Sequence, residues 1–187
     1  MALSALDPKS AVIIIDLQKG IVSLPLVHPA AEVVNNARAL ADAFRSHGLP
    51  VVLVNVAGVA PGRTEQPRRA MNFPPGWTDL VPELNQQPTD HTITKHTSGA
   101  FAKTDLEEHL RGRGVTQVVL AGIATSGGVE STARQAYELG FHVTLAIDAI
   151  TDASMDPHVH SLTKIFPRVG ESGTTQEVLN LLTSFRG

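Results

Sequence analysis

The sequence predicts an α/β fold in which a parallel β-sheet is covered by helices on both faces. Two observations carry this. Its apolar runs are rich in β-branched residues and continuous rather than alternating, which suits strands buried on both sides. Helical patterns lie between those runs in regular alternation, as crossover connections between parallel strands require.

Taken in order, the first run is Ala11-Val12-Ile13-Ile14-Ile15, ending at Asp16. From Ala30 to His47, Val33, Val34, Ala37, Leu40, Ala41 and Phe44 fall at helical spacing, and Gly48 follows as a stop signal. Pro50 to Val56 is the second run. Residues His91 to Thr94, just before Lys95, are a weaker strand candidate. Thr104 to Arg113 reads as a helix with Thr104 as cap, Glu107 at capping-box spacing and Gly114 as terminator. Gln117 to Ile123 is a further strand, followed by a helix from Val129 to Leu139 closed by Gly140. His142 to Ile147 is a strand ending at Asp148. A last helix runs from Thr174 or Thr175 to Phe185. The proline-rich stretch from Gly58 to Asp90 breaks this rhythm and reads as a binding loop or an oligomer contact.

The 187 residues suit one domain spanning 1–187. Aromatic residues are scarce at 4%, so the core must be aliphatic. A net charge of −3 offers no broad basic field for nucleic acid. The apolar runs are far shorter than the roughly 20 residues that cross a bilayer. Met1 to Ser10 holds no basic stretch followed by an apolar run, which argues against a secretory leader. The chain has no cysteine, which fits a reducing cytoplasm and excludes disulfides, thiolate–metal sites and a thiol nucleophile.

Ligands of open parallel sheets bind beyond the carboxyl ends of the strands. Those ends deliver Asp16 followed by Leu17 and Gln18, Lys95, the turn Ala124-Thr125-Ser126-Gly127-Gly128, and Asp148. Asp16 follows five apolar residues, so its carboxylate must be paired or protonated, and Lys95 is the natural partner. Such a pair can hold and exchange a proton, or it can merely brace a loop. The turn from Gly122 to Gly128 can present backbone N–H groups to an anion, or simply allow close packing.

Three segments in register are similar to the isochorismatase-like hydrolase superfamily: Ile13 to Gln18, Thr94 to Phe101, and Gly122 to Arg134. The resemblance spans about Ala11 to Leu182. It implies a three-layer α/β/α, Rossmann-like fold with a six-stranded parallel sheet, usually assembled as a homodimer or homotetramer acting on a small molecule. Many members are cysteine hydrolases with an Asp–Lys–Cys triad. By the motif, Asp16 and Lys95 take the first two roles as catalytic residues, and the nucleophile position falls on Gly128. Ala124, Thr125, Gly127, Gly128 and Gln18 would form the substrate or oxyanion pocket. The resemblance also places a cis peptide between Ile123 and Ala124.

Glycine has no nucleophile, so covalent thiol chemistry is excluded. This departure resembles isochorismatases proper, which hydrolyse a vinyl ether without a covalent intermediate. There the Asp acts as an acid toward the substrate and water adds to the cation. Those enzymes tend to carry an aromatic residue and an Arg after the Lys. Here His96-Thr97-Ser98-Gly99 follows, so the resemblance does not extend to isochorismate as substrate. Two readings stand: an acid–base hydrolase at Asp16 and Lys95, or an inactive small-molecule binder of the same fold.

Members with zinc carry an Asp and two His after the second strand. The corresponding Ala57-Gly58-Val59-Ala60 lacks them, so neither metal nor other cofactor is expected. His158 and His160, two apart, read as solvent-facing. His91 and His96 flank Lys95 and suit either pocket or surface. Arg63, Arg68 and Arg69 suit a substrate carboxylate or a solvated loop. Phe73 and Trp77 suit a pocket cover or a subunit contact.

Overall fold

The computed structural model describes residues 3–65 and 73–184. Its centre is a six-stranded, all-parallel sheet. The strands are β1 Ser10–Ile15, β2 Val51–Val56, β3 His91–Lys95, β4 Gln117–Ile123, β5 His142–Thr151 and β6 Glu171–Gly173. They lie in the order β3-β2-β1-β4-β5-β6.

The helices are α1 Lys19–Val22, α2 Ala30–Ser46, α3 Leu106–Gly112, α4 Glu130–Glu138, α5 Met155–His160, α6 Phe166–Val169 and α7 Thr175–Thr183. Alternation along β1 divides the apolar residues between two layers. Val12 and Ile14 pack with Val33, Ala37, Leu40 and Phe44 of α2 and Val178 and Leu182 of α7. Ala11, Ile13 and Ile15 pack with Leu106 and Leu110 of α3, Ala133 and Ala136 of α4, and Phe166 of α6. All six residues of β1 are buried, which is why its run is continuous.

Three local expectations change. The strand expected to end at Asp148 continues to Thr151. Leu120 faces Leu145, but Gly122 faces Ile150, so β5 bulges between these pairs and pushes Ile147 and Asp148 outward. Asp148 thereby turns away from the sheet mouth and accepts Thr175 N–H at 2.6 Å and the Thr175 hydroxyl at 2.8 Å, fastening the start of α7. The capping box expected at Thr104 is absent; the Thr104 hydroxyl instead donates to Ala100 O at 2.6 Å, and α3 begins at Leu106. A capping box stands at α7, where Thr174 and Glu177 satisfy each other's backbone N–H groups.

Proline residues between β2 and β3 do not leave that insertion loose at its described end. Trp77 lies on Gly20 of α1, so close that a Cβ there would meet the indole. Phe73 packs on Trp77 at 4.5 Å between ring centroids. No helix among the described residues is long and apolar enough to cross a membrane.

Candidate active site

The strand order reverses between β1 and β4, so the chain segments leaving these two strands diverge and open the sheet's carboxyl edge. Asp16 leaves β1 with φ of 53°, a left-handed conformation that is uncommon outside glycine. Gly122, with φ of 121°, sits where a Cβ would lie 1.9 Å from Ile15 O, so the neighbouring backbones of β1 and β4 approach only because it is glycine. The peptide between Ile123 and Ala124 is cis. A wide turn, Thr125–Val129, then leads into α4.

Lys95 reaches from the end of β3 to Asp16, with Nζ donating to Oδ2 at 2.8 Å. Both residues are buried, at 2% and 4% exposure. The ammonium also donates to Ser98 O at 2.9 Å and Thr97 O at 3.3 Å, so its three N–H bonds all have acceptors. Asp16 Oδ1 is buried without a hydrogen-bond partner among the described residues. Burial outweighs the attraction of the ammonium and pushes the Asp16 carboxyl up to about 6. A Cβ built on Gly128 would stand 3.2 Å from Asp16 Oδ2 and 3.4 Å from Lys95 Nζ. The vacant side-chain position therefore points at the pair. Glycine at 128 lets the backbone of the turn approach the Asp16–Lys95 pair more closely than a side chain would allow.

The isochorismatase domain model matches residues 10–177, nearly the whole chain. This protein belongs to the isochorismatase family. Over 178 residues it is 43% identical to the uncharacterized isochorismatase family protein YwoC of Bacillus subtilis, covering 91% of this chain and 93% of that one. YecD of Escherichia coli O157:H7, an uncharacterized isochorismatase family protein, is 42% identical over 182 residues, covering 92% and 96%. Among solved structures, an isochorismatase family protein from Burkholderia thailandensis superposes with a TM-score of 0.93 at 42% identity, covering 97% of this chain and 100% of that chain. The isochorismatase family is typically hydrolytic, and its fold is the one described above.

Other residues expected at the site of this family member are placed as follows. Gln18 is fully buried, but its amide accepts Val56 N–H at 2.7 Å and donates to Val56 O at 3.1 Å and Trp77 O at 3.4 Å. It finishes the pairing of β2 where β1 has turned away. Ala124 and Gly127 are half-buried, Ser126 is exposed, and Thr125 and Gly128 are buried, so the mouth of the turn lies at Ser126 and Gly127. His158 is buried rather than solvent-facing: its Nδ1 lies 2.8 Å from the Thr125 hydroxyl and its ring 4.9 Å from that of His28. The segment that buries it, α5 through α6, has no clean helical periodicity in the sequence. Burial and the neighbouring His28 both lower the proton affinity of His158, against the pull of Asp152. His160 is exposed. His91 lies at the opposite end of β3, stacked on His109 at 3.8 Å, and His96 is exposed with Nδ1 3.2 Å from Ala57 O. Arg63 is exposed, and Arg68 and Arg69 lie outside the described residues.

Two contributors were not picked out from the sequence. Asp152 accepts both N–H and hydroxyl of Ser126, at 2.7 and 2.8 Å, and so holds the turn from the β5 side. Its signal is the second apolar stretch, Ala149-Ile150-Thr151, that ends at it. Thr132, fully buried on α4, holds the same turn from the other side by donating to Gly128 O at 2.7 Å. Four surface hollows, one of about 590 Å³ lined by Tyr137, His142, Arg168 and Glu171 among others, do not include Asp16, Lys95 or Gly128. Several of these lining side chains are exposed, whereas the buried pair combines desolvation with a charge partner. No group of three or more His, Cys, Asp or Glu among the described residues could hold a metal ion.

Proposed function

We propose that the protein hydrolyses a small molecule by acid–base chemistry at Asp16 and Lys95, with no covalent enzyme intermediate. The observation that carries this is Asp16 itself: a buried carboxyl lifted to about 6, one oxygen on an ammonium and the other unpartnered. Near neutral pH such a group exists in both protonation states, as a general acid must. Lys95 has no N–H left for a substrate, so its part is to hold and polarise Asp16. For a vinyl ether, Asp16 Oδ1 gives its proton to the alkene carbon, water adds to the resulting oxocarbenium carbon and returns a proton to Asp16, and the hemiketal so formed breaks its C–O bond, the departing alcohol taking the hydroxyl proton as the carbonyl forms. Glycine at residue 128, where other members of the superfamily carry a thiol, brings the backbone of the turn close to the pair. With no cysteine in the chain the thiol route is closed, and in this reading water is the attacking group.

A panel of vinyl ethers, amides and small carboxylates, screened by thermal shift and then for turnover, tests the reading. For a hydrolysed compound, kcat/KM falls as pH rises through about 6, because the acid form of Asp16 is lost. Asp16→Asn lowers turnover at least about 100-fold, the usual yield of a positioned proton donor. Undiminished turnover by Asp16→Asn would overturn the assignment.

A further inference from the structure

We propose that Thr132 is a positioning residue for the reaction: its hydroxyl ties the Gly128 turn to the loop whose carbonyls hold Lys95, and so sets the Asp16–Lys95 contact. The proposal rests on the reading of that pair as the proton-handling groups. It adds a residue that touches neither of them.

A threonine inside a helix commonly donates back to the carbonyl four residues earlier, as Thr132 does to Gly128. Here the hydroxyl has a second partner that local geometry does not supply. It accepts the N–H of Ala100, from a different part of the chain, at 3.0 Å. Thr132 and Ala100 are both fully buried, so an amide left unpaired here would carry its full desolvation cost. One turn further along α4, Gln135 Oε1 accepts the N–H of Phe101 at 3.1 Å. Between the two contacts Gly99 lies so near Gln135 that a Cβ would stand 2.2 Å from Oε1. Loop residues 99–101 are therefore seated directly on α4.

The same loop holds Lys95 by its other edge. Ser98 O and Thr97 O accept from the ammonium, and the Thr97 hydroxyl donates to Gly99 O at 3.0 Å, bracing the segment between the two edges. Lys95 is the charged group that faces Asp16, both by contact and in its influence on the carboxyl. Gly128 leads directly into α4, so one rigid element carries both the vacant position and the anchor of the lysine's cage. Displacing the loop removes two of the three ammonium acceptors and lets water reach the carboxyl.

The test compares Thr132→Val, which keeps the shape and removes the hydroxyl, with Thr132→Ser, which restores it. The readout is the titration of the Asp16 side-chain carboxyl by 13C NMR, with Asp16→Asn identifying the signal; no substrate is needed. In Thr132→Val the midpoint moves from about 6 by about half a unit or more, because the loosened loop changes both the hold of Lys95 on the carboxyl and the access of water to it, and amide exchange at Ala100 speeds up. Thr132→Ser returns both to wild-type values. An unchanged midpoint in folded Thr132→Val overturns the proposal. If that variant does not fold, Gln135→Leu removes the second tether, with a smaller displacement expected and an unmoved midpoint overturning. Loss of the Asp16 acid role would appear as full turnover by Asp16→Asn and would leave this titration readable, so the two failures are distinct.

Discussion

In the proposed reading, residue 128 is where the chemistry of this protein parts from a cysteine hydrolase. A methyl group there would stand 3.0 Å from Ile15 Cγ2 and 3.2 Å from Asp16 Oδ2, tight but not forbidden once neighbours give a few tenths of an ångström. We expect Gly128→Ala to fold with a stability loss of about 1–3 kcal/mol, typical of mild overpacking. Turnover should drop at least about tenfold, because the methyl presses on Asp16 Oδ2 and misplaces the acid. Chemical denaturation and turnover on the same preparation check this, and unchanged turnover would mean that the placement of Asp16 does not limit the reaction. Gly122 is a different case. Its φ of 121° and the Ile15 carbonyl oxygen, which stands where a Cβ would be, leave no room for any side chain, so Gly122→Ala should cost more than about 4 kcal/mol and yield little folded protein.

The elements that position the site are fastened at their ends more than along their lengths. The turn after β4 is gripped by Asp152 from β5, His158 from α5 and Thr132 from α4. At the far end of the chain, α7 starts with a capping box and is tied by Asp148 to the bulge in β5. Thr174→Ala removes the cap and should lower stability by about 1 kcal/mol, seen as a few degrees in the thermal midpoint. The Asp16 acid limb should not move, since α7 packs on the opposite layer of the sheet from α4. A displaced limb would show that the two layers are coupled through β5.

For the whole molecule, the buried pair links stability to pH. The Asp16 carboxyl lies near 6 when folded and near 3.8 when unfolded, so the fold binds its proton more tightly. The stabilisation from this group is fully present below about pH 4, declines as pH rises through about 6, and is constant beyond. Its size is on the order of 3 kcal/mol, since the side chain is nearly fully buried. Urea denaturation of wild type and Asp16→Asn at pH 4 and 7 isolates it: the difference, wild type minus variant, should be smaller at pH 7 by that order. A difference independent of pH would place the carboxyl at its ordinary value.

Much of this was legible in residue order, for reasons tied to particular elements. Ala11 to Ile15, Val51 to Val54 and Val118 to Ile123 are buried on both faces, so their apolar character is uninterrupted and reads as strand without knowledge of neighbours. The helical spacing of the six buried residues from Val33 to Phe44 is likewise a local pattern and reads as helix. Asp16 and Lys95 were visible because a charged residue closing an apolar run must find a partner. What residue order could not contain is everything that depends on who arrives from elsewhere. The bulge in β5 moved the useful carboxylate from Asp148 to Asp152, because registry with β4 is settled between strands and not within one. Backbone carbonyls of Thr97 and Ser98 saturate Lys95, and every residue type has such a carbonyl, so no side-chain pattern announces them. Thr132, His158 and Gln18 carry ordinary polar side chains whose partners lie 32, 33 and 38 residues away, and only the packing of α4, α5 and β2 around one turn made them part of the site.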